Sequence, residues 1–217
     1  MRSALVAGGT GLVGGEILKR LLEDGDYSEV HSLTRRPTGF SHPKLTETII
    51  DFDHLDNIEL PTADDVFCAL GSTIKKAGSQ EAFYRVDHDY VAGLARAAVR
   101  CGTKQFMVVS SIMADPNSKN FYLRVKGETE QSVRRDGPPT ILIFRPATME
   151  GDRQEKRPGE KVGFAIMHAI GYLLIGRLKK YRNIKADTVA RVMISAAKAD
   201  LCAWRIFESD DIAAYPV

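Results

Sequence analysis

A cluster of glycines between two apolar segments near the start of the chain restricts the fold more than any other feature. Residues 4–7 form a short apolar run, and Gly8, Gly9, Gly11, Gly14 and Gly15 follow at once. From residue 12 to residue 24, Val13, Ile17, Leu18, Leu21 and Leu22 recur on one helical stripe, closed by Gly25. A strand that turns through glycines straight into an amphipathic helix opens a sheet covered by helices, not a meander of hairpins. The glycines fit two frames, G-x-x-G-x-x-G from Gly8 and G-x-G-x-x-G from Gly9. In either frame they permit a tight turn and let backbone N–H groups approach a pyrophosphate, with the positive end of the helix at Leu12 aimed at it.

The same alternation continues downstream. Residues 30–34, 45–50, 65–70, 105–110 and 141–144 read as strands, the fourth of the chain ending at Gly71. Residues 80–100 read as one long helix, with Phe83, Tyr90, Leu94 and Ala97 on a common face, and 119–135 as another. After Pro146 the regularity stops. Residues 150–161 are charged and contain Pro158-Gly159, which predicts a surface loop or lid. Residues 162–175 are almost wholly apolar and carry His168; about 14 residues fall short of the ~20 a membrane span needs, so a core helix or pocket wall is expected. Arg177, Lys179, Lys180 and Arg182 read as a solvated face. A capped amphipathic helix is expected over 187–199 and a last strand over 204–207. The expected fold is α/β, a Rossmann-type doubly wound parallel sheet in a single domain spanning 1–217. Residues 147–217 are expected to supply a lid and substrate pocket, because about 150 residues suffice for the sheet.

Composition narrows the partners. With 30 Lys+Arg against 28 Asp+Glu, the net charge is +2, without the basic excess of a nucleic-acid or anionic-membrane protein. Cys68, Cys101 and Cys202 are far apart with no C-x-x-C, which predicts reduced thiols and a cytoplasmic protein. The five histidines are scattered, so no metal site is expected. The glycines interrupt the N-terminal apolar run too early for a secretory signal.

Two further constellations carry chemistry. An NAD site usually has Asp or Glu at the end of the second strand, whereas this chain has Thr34-Arg35-Arg36. Adjacent guanidinium groups match a 2′-phosphate, so NADP(H) is the expected cofactor. Tyr122 and Lys126 lie one helical turn apart, about a dozen residues after Ser110 and Ser111 at the end of the fifth strand. A lysine ammonium beside a phenol favours its ionised form, and a serine hydroxyl beside both can hold a carbonyl oxygen. Which serine faces the site depends on strand register. A second Tyr-x-x-x-Lys pair, Tyr181 and Lys185, has no serine-tipped strand before it and reads as a decoy.

The glycine loop, the strand-end serines and Tyr122-x-x-x-Lys126 together resemble the extended or atypical branch of the short-chain dehydrogenase/reductases. Several runs narrow the resemblance: Cys68-Ala69-Leu70-Gly71-Ser72-Thr73, Phe83-Tyr84-Arg85-Val86-Asp87-His88-Asp89-Tyr90-Val91, Tyr122-Leu123-Arg124-Val125-Lys126-Gly127-Glu128, and Asp152-Arg153-Gln154-Glu155-Lys156-Arg157-Pro158-Gly159-Glu160. They are similar to the HIV Tat-interacting-protein family of NADPH-binding oxidoreductase-like proteins, over nearly the whole chain. The resemblance implies that Thr10, Gly11, Leu12 and Val13, within the Gly8 to Gly14 loop, cradle the pyrophosphate. It further implies that Arg35 and Arg36 hold the 2′-phosphate and that Asp51, Phe52 and Asp53 border the adenine. Leu70 and Gly71 would then lie along the ribose, and Met149 and Arg157 would close over the cofactor. Tyr122 would exchange the proton, and Lys126 would bond both it and the nicotinamide ribose. Ser111 is the more usual oxygen binder in extended members. Animal members carry an N-terminal extension and are linked to transcription and nuclear transport; this chain lacks that extension and has a shorter C-terminus. Two readings follow: a reductase of a small carbonyl or alcohol substrate, monomeric or homodimeric, or an NADPH-binding sensor or scaffold with little catalysis.

Overall fold

The computed structural model describes residues 1–150, 181–201 and 203–216. Seven parallel strands form one sheet in the order β3-β2-β1-β4-β5-β6-β9. They are β1 (Arg2–Ala7), β2 (Tyr27–Thr34), β3 (Leu45–Ile49), β4 (Asp65–Cys68), β5 (Gln105–Val109), β6 (Thr140–Arg145) and β9 (Trp204–Glu208). The chain winds outward from β1 in one direction through β2 and β3, then returns to build the other half from β4. The expected doubly wound sheet is therefore present, and its direction reverses between β1 and β4, where a crevice opens at the carboxyl ends of the strands.

Both faces of the central strands are buried, and the pleat divides their apolar residues between two cores. Ala4, Val6, Phe67, Met107, Leu142 and Phe144 face one side; Leu5, Val66, Cys68, Phe106, Val108 and Ile143 face the other. Strands buried on both faces read as continuous apolar runs, which is why they were visible in the sequence. The first core is closed by α1 (Leu12–Glu23) and α6 (Ala186–Lys198), through Ile17, Leu18, Leu21, Val189 and Met193. The second is closed by α4 (Tyr90–Arg100) and α5 (Phe121–Asp136), through Leu94, Ala98 and Val133.

Several expectations need correction. The long helix expected over 80–100 is α3 (Gln80–Tyr84), a π-type turn (Arg85–Asp89) and α4, in continuous right-handed helical backbone. The helix expected over 187–199 begins at Ala186 with Lys185 at its N-cap and no side-chain cap; Asp187 lies within its first turn, bonded to Arg20 on α1. Residues 184–208 do not serve only as a pocket: Ile184–Lys185 (β8) pairs with Met149–Glu150 (β7), α6 packs on α1, and β9 extends the sheet beside β6. Three short elements had no clear sequence signal: a 3₁₀ segment (Phe52–Asn57), α2 (Ile74–Ala77) and α7 (Ser209–Ala214). The expected lid over 150–161 extends, past Glu150, outside the described residues, as do the apolar stretch 162–175, Arg157 and Cys202.

Candidate active site

The glycine loop lies at the reversal of strand order. Gly8 follows β1 with φ +93°, a conformation that favours glycine, and a Cβ there would stand 2.5 Å from the Ala69 carbonyl oxygen after β4. Gly14, on the first turn of α1, packs so closely that an added Cβ would meet the Gly8 carbonyl oxygen at 2.1 Å. An added Cβ at Gly9 would likewise meet the Leu18 side chain at 2.4 Å, so the close packing serves both frames. Gly11 is the N-cap of α1 and supplies no side-chain bond to the first-turn N–H groups. Those groups have no carbonyl one turn earlier to bond, so the end of α1 suits an anion. Thr10 and Gly11 are exposed, Leu12 is half-buried, and the Val13 side chain belongs to the core.

Strand register carries the second strand to the same place. Ala7 pairs with Leu33, so Thr34, Arg35 and Arg36 run beside the glycine loop. The Thr34 hydroxyl closes the turn on Arg36, and both arginines are exposed. Asp51 caps the 3₁₀ segment by accepting from the Asp53 N–H, while Tyr90 donates to Asp53 at 2.7 Å. Phe52 is buried with its ring 5.6 Å from that of Tyr90. Phe52 therefore packs beneath this turn, and Asp51 and Asp53 lie on its exposed side. On the other side of the loop, Leu70 is half-buried and Gly71 exposed. Met149 is half-buried in β7 beside Ile184.

Tyr122 and Lys126 come to the carboxyl ends of β4 and β5. The Asn120 side chain accepts from the Leu123 N–H and starts α5, placing Tyr122 in the first turn and Lys126 in the second. Tyr122 is half-buried with its ring 5.6 Å from that of Phe83. Lys126 is 6% exposed and lies beneath Gly71, whose added Cβ would sit 3.8 Å from Nζ. Burial works to lower the Lys126 pKa, but the Asp87 carboxylate and the Tyr122 phenol more than offset it, holding the ammonium above its ordinary range.

Structure distinguishes the two serines. Ser110 is buried and donates to Glu130, whose oxygens also accept from Arg145, and Arg145 reaches on to Glu208. Its hydroxyl is committed to a network joining β5, α5, β6 and β9. Ser111 is half-buried, and among the described residues its hydroxyl reaches only the adjoining Ile112 carbonyl, at 3.3 Å. Asp87 stands in one of the runs that carry the family resemblance, without a role of its own there. Its carboxylate is fully buried, 2.7 Å from Lys126 Nζ, and it accepts from the Ser72 N–H at 2.7 Å. The legible signal was an aspartate at a position that the Phe83 to Tyr90 helical pattern turns inward. The second tyrosine–lysine pair sits apart from this group, Lys185 being exposed in β8.

A doubly wound parallel sheet with a glycine loop and an uncapped helix at its reversal point defines a dinucleotide-binding protein. The chain matches the family described as NAD(P)H-binding over residues 8–200. It belongs to that family, as an atypical short-chain dehydrogenase/reductase. The mitochondrial protein FMP52 of Coccidioides immitis is 35% identical over 216 residues, covering 93% of this chain and 87% of its own length. Protein HTATIP2 of Rattus norvegicus is 37% identical over 164 residues, covering 73% of this chain and 67% of its own. Among solved structures, the Bordetella bronchiseptica enzyme WbmH in complex with NAD+ superposes with a TM-score of 0.72 at 18% identity, covering 96% of this chain and 76% of that one. Among the described residues, no helix is long and apolar enough to cross a membrane.

Proposed function

We propose that this protein is an NADPH-dependent reductase of a small carbonyl compound, working as a single domain in the cytoplasm. The observation that carries the reading is Tyr122 one turn before a buried, charged Lys126 that lies beneath Gly71, just past β4, the strand whose end packs on the glycine loop. A bound reduced nicotinamide would supply the hydride. The Tyr122 hydroxyl donates its proton to the substrate oxygen, and the Ser111 hydroxyl holds that oxygen in place. The Lys126 ammonium stabilises the phenolate that remains. Choice of NADPH over NADH rests on Arg35 and Arg36, because nucleotide-binding sheets of this kind serve both cofactors. Arg157 and Met149 are proposed to close over the nucleotide.

The test is NADPH consumption over a panel of aldehydes, ketones and quinones, with Tyr122→Phe alongside. Turnover in the wild type that disappears in Tyr122→Phe, with NADPH affinity retained, is the expected result. NADPH binding without turnover of any substrate would favour the sensor or scaffold reading.

A further inference from the structure

The π-type turn Arg85–Asp89 sets successive residues against α5. An extra residue in a helical turn rotates the side chains that follow, and such turns recur at functional sites. Here Asp87 points into the interior toward Lys126, the Thr129 hydroxyl donates to the Asp87 carbonyl at 2.9 Å, and His88 Nε2 pairs with the Ser132 hydroxyl at 3.0 Å. The same Asp87 carboxylate also reaches the loop after β4, through the Ser72 N–H.

Among the described residues, each charge facing Lys126 can be accounted for. Tyr122 precedes it by one turn on α5, and Glu130 follows it by one turn. Glu130 is already answered by Arg145 and Ser110. From β4 comes the Cys68 thiol, which burial pushes up to about 12, so it is uncharged at neutral pH. The remaining walls of the small cavity beside Lys126 include Val91, Val108 and Val109. Asp87 is therefore the carboxylate that balances the ammonium. A lysine buried among apolar walls without such a partner gives up its proton near neutrality.

We propose that Asp87 is a positioning residue of the site. Its carboxylate keeps Lys126 an ammonium across the neutral range and holds that ammonium in fixed relation to the Gly71–Ser72 loop. The inference rests on the role given to Lys126 above, and it extends that role to a residue outside the serine, tyrosine and lysine set. Asp87 does not touch the substrate; it acts through the lysine.

The experiment uses the full chain without cofactor, labelled with ¹⁵N-lysine, with the Lys126 ammonium assigned by its loss in Lys126→Arg. In the wild type, the Lys126 signal should stay protonated from about pH 6 to about pH 9. In Asp87→Asn, which keeps an acceptor for Ser72, the midpoint should fall by about 2 pH units or more, into that window. Asp87→Glu should restore the charged state. With a turned-over substrate, kcat of Asp87→Asn should acquire an alkaline fall that vanishes in Asp87→Asn/Lys126→Arg, because a guanidinium does not discharge. An unchanged Lys126 titration in Asp87→Asn would overturn the proposal, as would a loss of kcat uniform across pH. If Asp87→Asn does not fold, the wild type still decides: Lys126 losing its proton below about pH 9 would refute the role. The titration needs no substrate, so a failure of the reductase reading is seen separately, as absent turnover.

Discussion

Ser110 and Ser111 are adjacent in sequence and opposite in circumstance. The first is bonded to Glu130 within the Arg145 and Glu208 network, whereas the second, among the described residues, has only a neighbouring carbonyl. Ser110→Ala should therefore destabilise the protein by about 1–3 kcal/mol, read by chemical denaturation, because Glu130 loses a buried donor. Ser111→Ala should leave stability within about 0.5 kcal/mol and lower kcat about 10²-fold or more. A reversal of the two outcomes would return Ser110 to the site. Arg35→Ala should erase the preference for NADPH over NADH in a binding titration, since its exposed guanidinium beside the glycine loop has the 2′-phosphate as its proposed partner. Equal affinities in the wild type would sink that assignment. Tyr181→Phe, at the decoy pair, should turn over substrate as the wild type does.

The glycine loop and α1 behave as one element. Their closeness depends on the missing Cβ of Gly14, which sits against the Gly8 carbonyl oxygen. Gly14→Ala should force the helix away from the loop and cost about 1–3 kcal/mol, with NADPH affinity falling alongside the melting temperature. Retained affinity would mean that α1 does not carry the pyrophosphate. The helix α5 was legible over 119–135 from its apolar and Tyr122 to Lys126 spacing, whereas its start at Phe121, set by the Asn120 cap, was not. The π-type turn was not. One extra residue hardly disturbs the apolar spacing of Phe83, Tyr90 and Leu94, yet it decides that Asp87 and His88 both meet α5.

Among the described residues, the candidate site lies at the carboxyl ends of the strands and a second buried polar network lies at their amino ends. At the amino ends of the strands, the fully buried Asp65 bonds Arg2, Tyr27 and Gln105, tying β1, β2, β4 and β5 together. Asp65→Ala should cost about 3 kcal/mol and leave NADPH affinity unchanged, measured by denaturation and titration together. Next to it, bonds from the Ser3 backbone N–H hold the Asp64 carboxyl below its usual 3.8, against a smaller opposing effect of burial. A depressed carboxylate adds stability that is present above the unfolded value and lost as pH falls through the folded one. Melting temperature should thus decline below about pH 4, and Asp64→Asn should flatten part of that decline.

Read by itself, the sequence determined the parallel α/β sheet, the glycine loop and its phosphate chemistry, and the Tyr122 and Lys126 pair. Each is written in short-range patterns: double-faced apolar runs, glycines at a strand-to-helix turn, and one-turn spacing on a helix. Tertiary structure alone decided which serine is bound to a buried carboxylate, that Phe52 lies beneath the surface, that β9 pairs with β6 at the sheet's edge, and that Asp87 lies against Lys126. Those outcomes depend on strand register and on residues brought together from distant parts of the chain, such as Asp87 with Ser72 and Lys126, or Ser110 with Glu130 and Arg145. Contacts of that kind leave no periodicity in a sequence, because their spacing is set by the sheet and not by the chain.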